Sequence, residues 1–187
     1  MSAAQVDVNR DSFGSVYMWS LVTAGAAIVV ASIYTLPFHY LDARFFFLCL
    51  MVMASSLVAI RIPRVSGRIT VADTFVFLTM LLFGGAAAIL MSALEGIAAT
   101  LIISKRPRTI LFNSAILATS TFFTVAVLNW AIGAPVHIVD DNFTGTFFGA
   151  ICIMALVQYV ANTTLIAIEK ASKIKESVWY TWRTYYL

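Results

Sequence analysis

A single carboxylate interrupts the apolar run Ala93-Leu-Glu-Gly-Ile-Ala-Ala-Thr-Leu-Ile-Ile103. Glu95 stands nine residues before the end of a helix expected over 86–104, ~14 Å from that end. A carboxyl group inside hydrocarbon can carry a proton, take a cation or receive a ligand's donor; ionised against lipid it costs about 2.5 kcal/mol or more. At helical spacing Glu95 shares a face with Ala88, Ser92 and Ala99, small residues that let helices approach closely. It is therefore expected to point into a bundle.

Ser120 and Gln158 fall at similar depth when counted from the ends of helices expected over 109–132 and 144–168. Asn113, Ser120 and Thr124 form a helical stripe, and Gln158 and Asn162 are an i, i+4 pair. The expectation is one polar layer of Glu95, Ser120 and Gln158, with Asn113 and Asn162 nearer the basic loops. Two readings are open: a ligand, ion or proton site, or hydrogen bonds that hold helix to helix. Thr70-Val-Ala-Asp73 has the spacing of a capping box, so Thr70 and Asp73 are expected to start a helix.

Other chemistry is sparse. No Gly-rich phosphate loop, Ser/His/Asp set or Cys/His set is visible, and Cys49 and Cys152 sit in apolar segments as packing residues. Asp140-Asp141 with His39 and His137 makes a poor metal set, and Asn142-Phe-Thr144 matches a glycosylation acceptor of use only in a secretory pathway. No catalytic residue, metal or cofactor is expected.

The elements that would position these residues are membrane helices. The 187 residues are 61% hydrophobic and 11% charged, against about 45–50% and 25% in soluble domains. An all-α membrane bundle of six helices is expected over 16–36, 44–60, 69–83, 86–104, 109–132 and 144–168, the third short. Residues 1–15 form a tail, and 169–187 an interfacial segment leading into further spans. One helix over 69–104 would measure ~54 Å against a ~30 Å hydrocarbon core, so Gly84-Gly85 is expected to turn.

With the N-terminus inside, eleven of the twelve basic residues fall on the cytoplasmic side: Arg10, Arg61, Arg64, Arg68, Lys105, Arg106, Arg108, Lys170, Lys173, Lys175 and Arg183. Only Arg44 falls outside, which satisfies the positive-inside rule. These cations face lipid headgroups rather than nucleic acid.

The run Phe75-Val-Phe-Leu-Thr-Met-Leu-Leu-Phe-Gly-Gly85 is followed by Ala93-Leu-Glu-Gly96, Ser104-Lys-Arg-Pro-Arg108, Leu111-Phe-Asn113 and Trp179-Tyr-Thr-Trp-Arg-Thr-Tyr-Tyr186. Together they resemble the N-terminal membrane region of bacterial signalling proteins that carry a cytoplasmic GGDEF diguanylate cyclase or HD-GYP-type phosphohydrolase domain. The resemblance covers Ile60 to Leu187 and implies a sensory module of the inner membrane, with a cyclic-di-GMP-type output domain in cis and a homodimer as a further partner. Such proteins continue with two more spans and then the enzyme. Neither a GGDEF motif nor an HD pair is present here, so the resemblance implies a fragment or an isolated membrane module.

A transporter subunit similar to the substrate-binding component of energy-coupling-factor importers is the alternative, with Ala27-Ile-Val-Val-Ala31 as a docking stripe. A membrane scaffold is a third.

Overall fold

The computed structural model describes residues 3–37, 42–56, 59–61, 68–132 and 145–186, with side chains except at 3–12, 59–61, 68–70 and 146. Among these residues are seven helices and one two-stranded ribbon. They are α1 (Ala3–Thr35), α2 (Ala43–Ser56), β1 (Ala59–Arg61), β2 (Arg68–Thr70), α3 (Ala72–Phe83), α4 (Gly85–Ile103), α5 (Pro107–Ala131), α6 (Gly145–Ile174) and α7 (Val178–Tyr186).

Four segments are long and apolar enough to cross a membrane: Phe13–Thr35, Gly85–Ile103, Pro107–Ala131 and Phe147–Ile174. Hydrocarbon offers no partner to a backbone N–H, and a helix satisfies its own. Large side chains such as Phe46, Phe47, Leu50, Leu101, Phe148 and Leu156 remain exposed, as lipid-facing surface does. The protein is thus a helical membrane protein.

The two shorter apolar helices, α2 and α3, measure only ~21 and ~18 Å. Where helix was expected to run on to Ile60 and to start at Ile69, the chain instead forms an antiparallel ribbon pairing Ala59 with Thr70, Ile60 with Ile69 and Arg61 with Arg68. The β-branched Ile60 and Ile69 suit a pleat. Each strand adds ~10 Å, so each helix-plus-strand arm reaches ~30 Å at most.

The expected capping box rests on Thr70, whose side chain lies outside the described ones. Thr70 ends β2, Val71 holds the cap position of α3, and no side-chain cap hydrogen bond is made there among the described residues. Asp73 keeps only its place in the first turn. At α2 a side chain does cap: Asp42 Oδ1 accepts the N–H groups of Arg44 and Phe45, each at 3.0 Å.

Gly84 reverses the chain in one residue. Its φ of 84° lies where side chains are strained, and its N–H donates to Met80 O at 3.0 Å while its carbonyl accepts from Ala88 at 3.2 Å. Gly85 is already helix: a Cβ there would lie 2.4 Å from Val125 Cγ1. The hairpin buries Val76, Met80, Phe83, Ala87, Ala88 and Met91 against α2, α5 and α6, with Phe45 edge-on to Phe83 at 5.6 Å.

Helix α4 is the innermost span, with 56% of its most apolar window buried against 17% in α1 and 22% in α6. It packs on α1, α2, α3 and α5; α5 packs in turn on α1 and α6. Glycine sets two of these crossings. A Cβ on Gly96 would lie 2.6 Å from Ser114 Cα, and one on Gly25 2.7 Å from Ala115 Cα. The Ala27 and Ala31 face of α1 is exposed and takes no part in the packing.

Helix boundaries differ from expectation at both ends of the chain. Helix α1 continues back to Ala3 through the expected tail, and α5 begins at Pro107, whose missing N–H is no loss in a first turn. Helix α6 runs on to Ile174, and Lys175 leaves it with φ 62°. Helix α7 then folds back along α6: Trp182 Nε1 donates to Thr163 Oγ1 at 3.0 Å, and Tyr159 Oη donates to Tyr186 O. Lys170 Nζ stands 3.1 Å over the Tyr185 ring. The expected interfacial segment is therefore, over 169–186, part helix extension and part antiparallel hairpin, which carries Arg183 away from the basic end.

These crossings make alanine a sensitive probe. Gly96→Ala and Gly25→Ala should each lower the thermal unfolding midpoint in detergent, since overpacking costs roughly 1–3 kcal/mol. Gly149→Ala meets nothing within 4 Å and should hold or raise it, by up to about 1 kcal/mol of helix propensity. Equal midpoints for all three variants would rule out the close crossings.

Candidate functional site

On α4 the buried stripe Ala88, Met91, Ser92 and Glu95 faces the bundle, and Glu95 is only 2% exposed. On α3 the fully buried Val76 and Met80 pack in one cluster with Ala88 and Met91. Asp73 is one turn below Val76 on the same stripe. In an antiparallel pair closed by one residue, positions equidistant from the turn lie level. Asp73 is eleven residues before Gly84 and Glu95 eleven after, so the register brings two carboxyl groups to one level, ~16 Å from the turn.

Two acids at one level of a helical hairpin can hold a proton in common or receive a monovalent cation between them. Among the described residues no group of three or more His, Cys, Asp or Glu side chains gathers as a metal set.

Helix α5 clamps α4 on both sides of Glu95. Ser114 Oγ donates to Ala93 O at 2.9 Å, and Asn113 Nδ2 donates to Thr100 Oγ1 at 2.9 Å. Thr100 Oγ1 donates back to Gly96 O at 2.7 Å. Between these bonds Gly96 lies against the Ser114 backbone. Near Glu95, then, α4 has little freedom to slide on α5, whereas α3 meets it through apolar side chains.

Gln158, 4% exposed, belongs to a different layer. Its Oε1 accepts from Thr124 Oγ1 at 2.8 Å, and its Nε2 donates to Thr121 Oγ1 at 3.1 Å. Ser120 is fully buried and donates within its own helix to Leu117 O at 3.0 Å. Asn162, one turn from Gln158, has its Oδ1 buried with no hydrogen bond among the described residues.

The paired contacts Gly96 to Ser114 and Gly85 to Val125 set the α4–α5 register and put Glu95 level with Ala115. Thr121 and Thr124 then lie ~9–14 Å farther along α5. The expected single polar layer is thus two: one of α3, α4 and α5 around Glu95, Asp73, Asn113 and Thr100, and one of α5 and α6 around Gln158. The depths were counted from helix ends, and α6 ends sixteen residues beyond Gln158, not ten.

Of these hydroxyls only Thr124 belongs to the stripe expected on the fifth helix; Thr100, Ser114 and Thr121 are inconspicuous, since hydroxyls are common in apolar helices. The signals available are Thr100 at i, i+4 from Gly96 and Thr121 at i, i+3 from Thr124. The equal spacing of Asp73 and Glu95 about Gly84 was also legible and was masked by the capping motif.

Of the basic residues, Lys105 and Arg106 are exposed in the α4–α5 turn and Arg108 lies in the first turn of α5. Arg61 and Arg68 pair at the last position of the ribbon. Arg64, His39, His137, Asp140, Asp141 and Asn142 lie outside the described residues. Cys49 and Cys152 are free thiols.

A double-mutant cycle of Gln158→Leu and Thr124→Val, read by unfolding in detergent, should return a coupling of about 0.6–1.7 kcal/mol, the range of interhelical hydrogen bonds in membranes. Additive single effects would mean that the two side chains do not hold α5 to α6.

Comparison of the chain with protein-family models, with characterised proteins and with solved structures gave no match.

Proposed function

We propose that this chain is the membrane-embedded input module of a bacterial signal-transduction protein, and that the level of Asp73 and Glu95 is its switch. The reading places six crossings in the inner membrane, four by the long helices and two by the arms α2–β1 and β2–α3. The N-terminus and the basic end face the cytoplasm. Support for this orientation comes from Met18 of α1, which lines one cavity together with Arg108 and Lys173, so that α1 starts at the basic end.

The observation that carries the proposal is Glu95 at 2% exposure in the innermost span, level with a second acid on the neighbouring helix. Intramembrane ionisable groups are retained at a cost and mark sites of function. Binding or losing a proton or cation between the two carboxyl groups changes the force between α3 and α4. Because α5 pins α4, the compliant partner is α3, with the ribbon and α2 behind it. A stimulus that favours one spacing shifts the population toward it, and the α4–α5 pair, displaced as a unit relative to α3, carries the change to α6 through the Gln158 bonds. Helix α6 ends with Ile174 at the basic end, the side on which an output domain of the cyclic-di-GMP type would lie.

The test compares Glu95→Gln, Glu95→Leu and Asp73→Asn for membrane abundance, cyclic-dinucleotide response in cells and the infrared carboxyl band of the purified protein. All three variants should reach the membrane and lose the stimulus-dependent part of the output. A normal response from Glu95→Gln and Asp73→Asn at normal abundance would refute the switch.

A further inference from the structure

Between α1 and α4 runs an open cavity of about 500 Å³, floored by α5 at Ser114 and Ala115 and with Phe45 of α2 also in its lining. Its walls are one face of each helix: Val22, Ala26, Val29 and Ile33 recur at i, i+4, i+7 and i+11 on α1, and Leu90, Leu94 and Ile97 at i, i+4 and i+7 on α4. The contacts of Gly25 with Ala115 and of Gly96 with Ser114 fix its direction: Val22, Ile97 and Leu111 lie toward the basic end, Leu36 and Leu90 toward the other. Among the described residues of the lining only Ser114 carries a polar side chain, and its Oγ already donates to Ala93 O at 2.9 Å. Water finds no partner there, and apolar cavities stay dry.

From Val22 to Leu36 this slot is ~21 Å long, more than the ~15 Å of hydrocarbon in one leaflet, so only a long, straight chain fills it. Its volume over that length gives a mean cross-section of about 24 Å², a width of about 5–6 Å. A helix with its side chains is ~10–12 Å across and cannot enter. A single hydrocarbon chain can, since carbon atoms pack at about 3.5–4.0 Å. Ile33, Leu94, Ile97 and Leu111 remain exposed, so the slot opens to lipid. At its basic end Arg106 precedes Ile110, and Arg108 precedes Leu111, by one turn, and Ile110 and Leu111 both line the slot. Both arginines are exposed, and neither makes an ion pair among the described residues. Trp19 is exposed one turn before Val22, as an indole at headgroup level is. Cations at the foot of an apolar slot complement a phosphate joined to a long chain.

We infer that the α1–α4 slot is a binding site for one anionic phospholipid of the leaflet facing the Lys105–Arg108 turn, with its phosphate at Arg106 and Arg108 and one acyl chain running from Leu111 and Ile97 toward Leu36. A chain seated there bears on Ala93 and Leu94, the residues before Glu95, and joins α1 to α4 where their own side chains leave the slot.

The test is titration of the purified full chain in detergent with three lipids, read by native mass spectrometry and thermal unfolding. Palmitoyl-oleoyl phosphatidylglycerol should bind one per chain and raise the midpoint, and phosphatidylcholine with the same chains should bind about fivefold more weakly or worse. Dioctanoyl phosphatidylglycerol, too short to fill the slot, should leave the midpoint where it was. Ala26→Phe, which lays a ring in the slot, should lose the rise, whereas Ala27→Phe on the exposed face beside it should keep it. The double variant Arg106→Gln, Arg108→Gln should bind the two headgroups equally, and Arg183→Gln should still prefer phosphatidylglycerol. Should Ala26→Phe fail to fold, the arginine variants and the short-chain lipid decide. An undiminished rise in Ala26→Phe, equal binding of the two headgroups by the unaltered chain, a preference kept by the double variant, or a full effect from the dioctanoyl lipid would each overturn the site.

Discussion

At Gly96 the backbone of α4 comes so near that of α5 that a single methyl group would reach 2.6 Å from Ser114 Cα. In hydrocarbon, association between helices draws on van der Waals contact and hydrogen bonds rather than on release of water, so close approach is where cohesion arises. The contact sets the register of the central pair. Ser114 thereby reaches Ala93 O and Asn113 reaches Thr100, and eleven residues away on each helix Gly85 meets Val125. The other helices pack around this pair, α3 and α2 on one side and α1 and α6 on the other.

A carboxyl group beside such a crossing has consequences for its neighbours. Glu95 immediately precedes Gly96, so it lies where α4 is most tightly held, and its exchange of a proton or cation would act on the looser side of the helix. That side is α3, joined to α4 by one glycine and packed through Val76 and Met80. The ribbon joins the α2 and α3 arms with backbone bonds between strands. The fold therefore combines a fixed pair, α4 and α5, with a more compliant hairpin beside it.

Much of this was legible residue by residue. The apolar runs, the reversal at Gly84, the inward face of Glu95 and the basic character of one end all follow from composition and helical spacing. The strand that ends at Thr70 was not legible in this way: Thr70 is opposite Ala59, and pairing depends on residues eleven apart that local propensity does not see. The single polar layer failed for a related reason. Depth was counted from helix ends, and those ends are decided by Pro107 and by the positive-φ Lys175, not by where hydrophobicity stops.

The sequence by itself determined that the chain would form apolar helices, since hydrocarbon forces each backbone to satisfy its own hydrogen bonds, and that Glu95 would turn away from lipid. Tertiary structure decided which polar groups meet. Gln158 pairs with Thr121 and Thr124, Asn113 with Thr100, and Asp73 comes level with Glu95. Those meetings depend on interhelical register, which is fixed by contacts at Gly84, Gly85, Gly96 and Gly25 between segments distant in the chain, and helical periodicity within one segment carries no record of it.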